Sequence, residues 1–269
     1  MTYLIFDASP WIFTVVLLVL LALSIELPYR LGQRVAQKME HHREAFTAAQ
    51  AGLLTLASFV LGLSFSQAEG RFDARRELVV KEANAIGTTW LRADQLSASQ
   101  RDSFRKLLTD YTAARLQAYQ SPLGSSSNGT PLYQRTLDQS TRDQDAIWAI
   151  ASSELTAKPT SLGLSLLMQS LNNTIDVSTE QLQALTNHVP TAVVVLTVGL
   201  VTLGGLSIGI RFAANASRPM LLSIIYVVAN VVVIGMMIDY DRPQTGLIRI
   251  NLKPLQVQLE AMQLPTAAK

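Results

Sequence analysis

The sequence lacks cysteine, which excludes disulfides, thiolate metal sites, iron–sulfur clusters and cysteine nucleophiles. Histidine is scarce: His41 and His42 are adjacent and would face different directions on a helix, and Glu44 does not complete a metal site. Gly-rich phosphate loops, nucleophile elbows and zinc-binding helix motifs are also missing. We therefore expect no metal, no catalytic residue and no cofactor, and an enzyme is the least expected class of protein.

A strong charge of either sign is missing as well. The formal net charge is +2, and the Lys and Arg residues are dispersed along the chain instead of forming a stripe. Nucleic acid is therefore not an expected partner.

Charged residues are absent from three long apolar runs, at residues 46–66, 190–210 and 219–238, and a fourth apolar run covers residues 11–27. Each run has about 20 residues, the length that a helix needs to cross the hydrocarbon of a bilayer. Lipid offers no hydrogen-bond partner to a backbone amide, so segments of this kind must be helical. The sequence predicts four transmembrane helices, with membrane lipid as a partner.

A stretch of different composition, residues 70–189, separates the second run from the third. It holds twelve basic and twelve acidic residues, and its apolar residues recur at steps of three and four, as on amphipathic helices. The predicted fold is all-α: four transmembrane helices with a helical-bundle soluble domain inserted between the second and third. The predicted segments are membrane 1–69, soluble domain 70–189, membrane 190–238 and C-terminal tail 239–269.

The helices of this domain have sequence signals of their own. The second span has no breaker at its end except Gly70, so we expect its helix to run on to about Leu91. Ser97, followed by Gln100 three residues later, predicts a capping box at the start of the next helix. Two further helices complete the predicted bundle, over residues 132–156 and from residue 161 towards the third span.

The loops on one side of the membrane are basic. Four basic residues lie between the first two runs and two lie between the last two: Arg30, Arg34, Lys38 and Arg43, then Arg211 and Arg218. By the positive-inside rule these loops are cytoplasmic, so the soluble domain and both termini lie outside. Four basic residues on the side assigned to the outside count against this orientation: Arg71, Arg75, Arg76 and Lys81.

Small and weakly polar residues form one face along the second span, at steps of three and four: Ala51, Thr55, Ser58, Gly62 and Ser66. One interpretation is a seam where helices approach closely. The other is a water-filled path whose constriction is a neighbouring large side chain, namely Leu56, Phe59, Val60 or Leu63. The candidates for pore lining or constriction are Thr55, Ser58, Phe59, Gly62 and Ser66.

Charged and amide side chains lie on the predicted continuation of the second helix: Arg71, Arg75, Arg76, Glu82 and Asn84. In a single chain such residues are typical of a solvated face with ion pairs at i,i+4 spacing. Around the symmetry axis of an oligomer they would form rings at the mouth of a pore, or contacts between subunits.

Polar residues near the last span form two further candidate sites. Asn230 lies in the middle of the fourth span, so its amide needs a partner inside the protein, either on another helix or along a pore. After the span, Asp239 and Asp241 precede a turn that contains Pro243 and Gly246. Two carboxylates before a turn could coordinate a cation, although the pattern is weak for calcium.

Several short runs resemble the bacterial bestrophin-like family, and the resemblance covers nearly the whole chain. The most specific run is EANAIGT at residues 82–88. The others are RFDARR at 71–76, DY at 110–111, LNNTID at 171–176, and DRP at 241–243 with Gly246.

The resemblance implies kinship with bestrophins, which are pentameric anion channels with a pore lined by the second span and a calcium-binding segment after the fourth. It also implies a helical domain and termini in the cytoplasm, which is opposite to the orientation that the loop charges predict. We keep the orientation from the loop charges as the prediction.

The leading hypothesis is a multi-pass protein of the bacterial inner membrane, with its soluble domain and both termini in the periplasm. It would form a homo-oligomer, for which a pentamer is one form, and conduct ions, with anions implied by the resemblance. The alternative is a non-conducting sensor or scaffold, since membrane helices that run directly into an external bundle would also suit signalling. Against it, the cytoplasmic segments 28–45 and 211–218 are too short to hold an output domain.

Overall fold

The computed structural model describes residues 10–32, 42–121, 131–215, 219–242 and 246–264. Within these residues the chain is helical and contains no strand, in agreement with the predicted all-α class. The helices are α1 Pro10–Leu31, α2 Arg43–Arg92, α3 Ala98–Gln120, α4 Pro131–Ala157, α5 Leu162–Thr186, α6 Thr191–Ala214, α7 Met220–Tyr240 and α8 Lys253–Gln263. A short 3-10 helix, Ala93–Gln95, follows α2.

Four helical stretches are long and apolar enough to cross a membrane, which confirms the four predicted spans. They are Trp11–Leu31, Arg43–Gln95, Leu162–Ala214 and Met220–Tyr240. Large apolar side chains such as Val195 and Leu221 are exposed on these helices. Exposed apolar area of this extent is unfavourable in water and is expected where a surface faces lipid.

The chain divides into two compact units. The first, which we call the membrane unit, falls within Met1–Arg71, His188–Arg242 and Gly246–Ile248. The second, which we call the helical unit, falls within Phe72–Asn187, Pro243–Thr245 and Arg249–Lys269. Helix α2 contributes residues to both units.

Close approach of helices determines the packing of the membrane unit. α1 packs against α6 and α7. A Cβ atom at Gly205 would overlap the side chain of Ser24, and one at Gly209 would overlap the backbone of Ile25. These two glycines therefore allow α6 to touch α1 directly, as small residues do at membrane helix interfaces. The apolar core around the contact includes Leu17, Leu21, Val194, Val201, Val231 and Ile234.

The membrane part of α2 turns a narrow face of small residues towards the interior of the unit. Ala57 and Ala68 are buried there, and so is Ser64. The hydroxyl groups of Ser64 and Thr197 lie 3.0 Å apart and form a hydrogen bond between α2 and α6. Two spans are thus linked by a polar contact without any charged group.

The helical unit has a separate apolar core. α3 packs against α4, α4 packs against α5, and α8 packs against α3. The most buried members of the core are Val79, Ile86, Phe104, Leu108, Ile147, Leu164, Leu167 and Leu171, and α8 adds Leu255 and Met262. The amphipathic repeats at three and four thus form one interior.

The helix starts in this unit show one wrong prediction and one ordinary cap. α3 begins at Ala98 after Ser97, as expected, but the Ser97 side chain does not cap it. The Ser97 hydroxyl donates to Glu154 Oε1 of α4 at 2.6 Å, and a hydrogen bond to a carboxylate is stronger than one between neutral groups. At the start of α5, Ser161 Oγ accepts the Leu164 amide proton at 3.3 Å, which is an ordinary N-cap.

Candidate functional site

One stripe of α2 is buried along the whole helix, at steps of three, four or seven residues. Its members are Gln50, Ala57, Ser64, Ala68, Phe72, Arg75, Val79, Glu82, Ile86 and Thr89. This spacing keeps the residues on one side of a helix. The stripe decides which of the predicted site residues face the chain's own interior and which do not.

All five predicted pore-lining residues lie outside this stripe. Thr55, Ser58, Phe59, Gly62 and Ser66 are exposed in the single chain, and Phe59 is 63% exposed. Gly62 has no heavy atom within 4 Å of the position that a Cβ would occupy. The small, weakly polar face therefore does not pack against the described part of the chain.

The three arginines after the second span differ sharply in environment. Arg75 is buried, and its guanidinium donates to the carbonyl oxygens of Ala184 and Asn187, each at 2.8 Å. These carbonyls end α5, where unpaired acceptors and a negative partial charge favour a cation. Arg76 is exposed and lies 3.9 Å from Asp73, while Arg71 is half-buried.

Glu82 lies in the interior of the helical unit, with 0% of its surface exposed. Its Oε1 accepts from Arg115 Nε at 2.6 Å, and its Oε2 accepts from the Tyr119 hydroxyl at 2.6 Å. The Arg115 guanidinium also lies over the Tyr119 ring, at 5.4 Å from its centroid. Glu82, one of the residues predicted at the mouth of a pore, is therefore buried and hydrogen-bonded within its own chain.

Burial and charge act in opposite directions on this cluster. Burial alone would lower the pKa of Arg115, but the neighbouring Glu82 carboxylate holds it above its ordinary value. Burial, and then the charge of Glu82, raise the pKa of Tyr119. Burial also raises the pKa of Tyr111 to about 12. Both phenols thus stay protonated at neutral pH, so the cluster consists of one ion pair and neutral hydroxyls.

Two buried polar side chains near the middle of the bundle have unpartnered atoms among the described residues. They are Gln181, at both atoms of its amide, and Asp143, at Oδ2. Asp143 Oδ1 accepts from Gln139 at 2.8 Å. Burial raises the pKa of Asp143, since the charged carboxylate loses water and gains only this one donor.

Two of the runs that carry the family resemblance, residues 82–88 and 171–176, meet in the helical unit. Asn84 and Thr88 of α2 line a polar groove of about 660 Å³ together with Asn172, Asn173 and Asp176 of α5. Lys81 and Arg92 complete its charged rim. Asn84 is thus exposed on a surface rich in amides, in contrast to Glu82 two residues earlier.

Asn230 is half-buried in α7, and its amide nitrogen donates to the carbonyl of Tyr226, one turn earlier, at 2.8 Å. This donor is therefore satisfied by its own helix and not by a neighbouring helix. The hydrogen bond between α6 and α7 comes instead from the Tyr226 hydroxyl, which donates to the carbonyl of Val201 at 2.5 Å.

The two carboxylates after the fourth span bind backbone amides. Asp239 accepts the amide protons of Leu247 and Ile248 at 2.7 and 2.8 Å, which closes the turn. Asp241 accepts the amide proton of Val189 at 3.0 Å and lies 3.2 Å from His188 Nδ1. Both carboxylates thus have backbone partners, and no group of three or more metal-binding side chains occurs within the described residues.

Gly246 is required by this turn, because a Cβ there would lie 2.7 Å from Asp239 Oδ1. Its amide donates to the carbonyl of Arg242 at 2.9 Å. Several residues used in the predictions lie outside the described residues, namely Arg34, Lys38, His41, Pro243 and Arg218.

Sequence reasoning missed Arg115 and Tyr119, the partners of Glu82. A signal was present, since Leu108, Tyr111, Arg115 and Tyr119 recur at three and four on one face of α3. A single arginine on an otherwise apolar face indicates a buried ion pair, because an unpaired buried charge is very costly.

A family model for the bestrophin-like domain matches residues 14–255. The chain belongs to the bestrophin-like family. This match and the four apolar helices together identify a membrane protein. The resemblance noted in the sequence is thereby confirmed.

Solved structures of bacterial bestrophin homologues share the fold. A mutated form of the homologue from Klebsiella pneumoniae superimposes with a TM-score of 0.63 at 14% identity, covering 95% of this chain and 96% of the other. The structure of the Klebsiella pneumoniae homologue solved by Zn-SAD phasing gives 0.60 at 15% identity, covering 92% and 95%. Identity this low shows the fold alone. No curated protein matches the chain.

Proposed function

We propose that this bestrophin-like protein is a homo-oligomeric ion channel in which the membrane part of α2 from each subunit lines a central pore. Thr55, Ser58, Gly62 and Ser66 form the lining, and Phe59 forms the constriction. The protein would transport ions and not catalyse a reaction.

One observation carries this proposal: the small, polar face of the second span is exposed in the single chain. Lipid gives a hydroxyl group no new partner, and Thr55 already donates to the carbonyl of Ala51 at 2.9 Å. Contact with water or close packing against a second copy of the same helix therefore stabilises such a face more than contact with lipid does. Family membership supports the same conclusion, because bestrophins are known as anion channels.

The proposed mouth of the pore uses the exposed residues on the continuation of α2. Arg76 and Asn84 are exposed and Arg71 is half-buried, so a ring of copies of these residues would attract anions. Arg75 and Glu82 are left out of the mouth, because Arg75 closes the end of α5 and Glu82 is paired with Arg115.

The proposed layout keeps a soluble helical domain of about residues 70–189 between the second and third spans, in the inner membrane of a bacterium. The loop charges predict a periplasmic domain and periplasmic termini, whereas kinship with bestrophins predicts that they are cytoplasmic. A periplasm-specific reporter inserted at Ser126 distinguishes these orientations. Activity of the periplasmic reporter supports the orientation predicted from the loop charges. If only a cytoplasm-specific reporter at the same position is active, that orientation is overturned.

Conductance of purified protein in planar bilayers tests the channel. We expect wild type to conduct, Gly62→Leu to block most of the current and Phe59→Ala to increase it. Gly199→Leu is a matched control, since Gly199 is also an exposed span glycine without a neighbour within 4 Å. Absence of current from wild type, or current unchanged by both variants on α2, would overturn the proposal.

The cysteine-free sequence allows a second test with little background. Single cysteines at Ser58 and Gly62 should react with a charged, water-soluble thiol reagent and reduce the current. A cysteine at Val195, exposed on α6, should not change the current. Equal reactivity at all three positions would show that the α2 face is not specifically wetted.

The oligomeric state in detergent is the simplest test of a central pore. Several copies per particle, with five as one form, support the proposal, and a monomer contradicts it. A stable oligomer without conductance would favour the alternative of a sensor or scaffold, for which the unbroken helix α2, Arg43–Arg92, is the supporting observation.

A further inference from the structure

Two arginines meet at a boundary of the membrane unit. Arg43 lies in the first turn of α2 and Arg211 in the last turn of α6, and both line one cleft. Thr47 and Asn215 are polar members of the same cleft, and the apolar members are Phe46, Ile210 and Ala214. The uncharged run of α2 begins at Phe46 and that of α6 ends at Ile210. The cleft therefore lies where these helices leave the hydrocarbon.

Arg211 is held in place by neutral groups. Its guanidinium donates to Thr47 Oγ1 at 2.9 Å and to Gln50 Oε1 at 3.4 Å. Gln50 is only 8% exposed, so this anchor is inside the unit. Hydroxyl and amide oxygens fix the orientation of the guanidinium but do not neutralise its charge, and its other N–H groups remain able to donate.

The positive charge of the cleft is not compensated within the described residues. Neither Arg43 nor Arg211 forms an ion pair there, and Glu44 does not line the cleft. The N-terminus of α2 adds a positive partial charge at the same place and the C-terminus of α6 adds a negative one, so the net charge of the cleft comes from the two arginines. In contrast, Arg30 at the end of α1 is paired with Glu26.

We propose that this cleft binds the phosphate group of an anionic phospholipid between Arg43 and Arg211. The cleft is open to one side and has a volume of about 30 Å³, room for roughly two water-sized atoms, so two phosphate oxygens fit inside and the rest of the headgroup lies at the mouth. Phe46, Ile210 and Ala214 then contact the first carbons of the acyl chains. Basic pockets between transmembrane helices are typical sites for anionic lipid headgroups, and the inference does not depend on the channel proposal.

Lipid retention tests this site on the full-length protein in nanodiscs of phosphatidylcholine with added phosphatidylglycerol. Native mass spectrometry should show phosphatidylglycerol bound to wild type. Arg43→Gln and Arg211→Gln should each lower its retention by about fivefold, the factor expected for one basic side chain at a membrane surface. Arg211→Lys should keep part of the binding, because it keeps the charge but loses the planar fork.

The control is Arg30→Gln. It removes a charge from the end of α1, the span that precedes α2 in the chain, and Arg30 does not line the cleft. It should leave retention unchanged. Equal retention by wild type and Arg43→Gln, or an equal loss in Arg30→Gln, would overturn the proposal. If Arg211→Gln fails to fold, Arg43→Gln still tests the lipid site. The Arg43 side chain is exposed, so we expect its replacement to leave folding intact.

A soluble competitor distinguishes a lipid from a free phosphate. In phosphatidylcholine nanodiscs, phosphatidylglycerol should raise the thermal stability of wild type, whereas inorganic phosphate should not. Equal stabilisation by inorganic phosphate would show that the cleft recognises a free anion and would overturn the assignment to phospholipid.

Discussion

The buried stripe of helix α2 has a different composition in the membrane unit and in the helical unit. In the membrane unit its buried stripe is small and uncharged, as at Ala57, Ser64 and Ala68, while the small polar residues around Gly62 are exposed. In the helical unit its buried stripe contains Arg75 and Glu82, both fully occupied by partners within the chain.

The difference teaches where each part of the helix finds its partners. The charged stripe of the helical unit is satisfied by groups of the same chain, so that part of α2 stabilises the fold. The small face of the membrane unit has no packing partner among the described residues, so we expect lipid, water or another copy to cover it. Four predictions test this contrast.

The largest effect is expected from Arg115→Met. It leaves the buried Glu82 without its cation, which should lower the free energy of unfolding by about 3–5 kcal/mol. Urea unfolding followed by the fluorescence of Trp90 and Trp148 measures the change. The double variant with Glu82→Gln should recover much of the loss, and Arg76→Met should have little effect. A single variant Arg115→Met as stable as wild type would contradict the role of the pair.

The next largest effect is expected from a comparison of the same substitution at two glycines of the membrane unit. Gly209→Leu would push α6 away from the backbone of Ile25 and should cost about 1–3 kcal/mol, as overpacking does. A Cβ at Gly62 has no heavy atom of the described residues within 4 Å, so Gly62→Leu should leave thermal stability unchanged or slightly higher, since leucine favours helix more than glycine. Equal destabilisation by both, measured as melting temperatures in detergent, would mean that the face of Gly62 is packed after all.

A smaller effect is expected from Asp143→Asn, which replaces a buried carboxylate of the helical unit that forms no ion pair among the described residues. Because burial raises the pKa of Asp143 above 3.8, its charged form destabilises the fold as pH rises past that value. Asparagine should therefore stabilise at neutral pH by roughly 1 kcal/mol, and the gain should vanish in acid, where the wild-type carboxyl is protonated. Melting curves over this pH range measure the difference, and a gain independent of pH would rule out this cause.

The smallest effect is expected from the hydroxyl pair of the membrane unit. Ser64→Ala should cost about 0.6 kcal/mol, the average for such hydrogen bonds between membrane helices. Thr197→Ala should cost a similar amount, and the double variant should show the coupling in a double-mutant cycle. Purely additive losses would show that the bond at 3.0 Å adds no stability.

The sequence was sufficient to predict the spans, because lipid requires helix wherever a long uncharged run occurs, whatever surrounds it. It also predicted that α2 continues to about Leu91, since only Gly70 interrupts the helical pattern. The four spans and the helical class needed no knowledge of tertiary contacts.

The candidate site was less predictable, because burial depends on partners that are distant in the chain. Glu82 was expected at an exposed mouth, yet its partner Arg115 is 33 positions away. The spacing of Arg75 and Glu82 from Phe72, Val79 and Ile86 was the available signal, since it places both charges on the buried stripe. Ser97 shows the same limit, because its hydroxyl donates to Glu154 of another helix, 57 positions later.

Asp241 has a consequence for the order in which the membrane unit is completed. Its carboxylate accepts the amide of Val189, 52 positions earlier, just before the start of α6. During synthesis from the N-terminus this amide lacks its acceptor until translation has passed the whole of α7. A chain cut after Tyr240 would hold all four spans and still leave the Val189 amide, two residues before α6, without this acceptor.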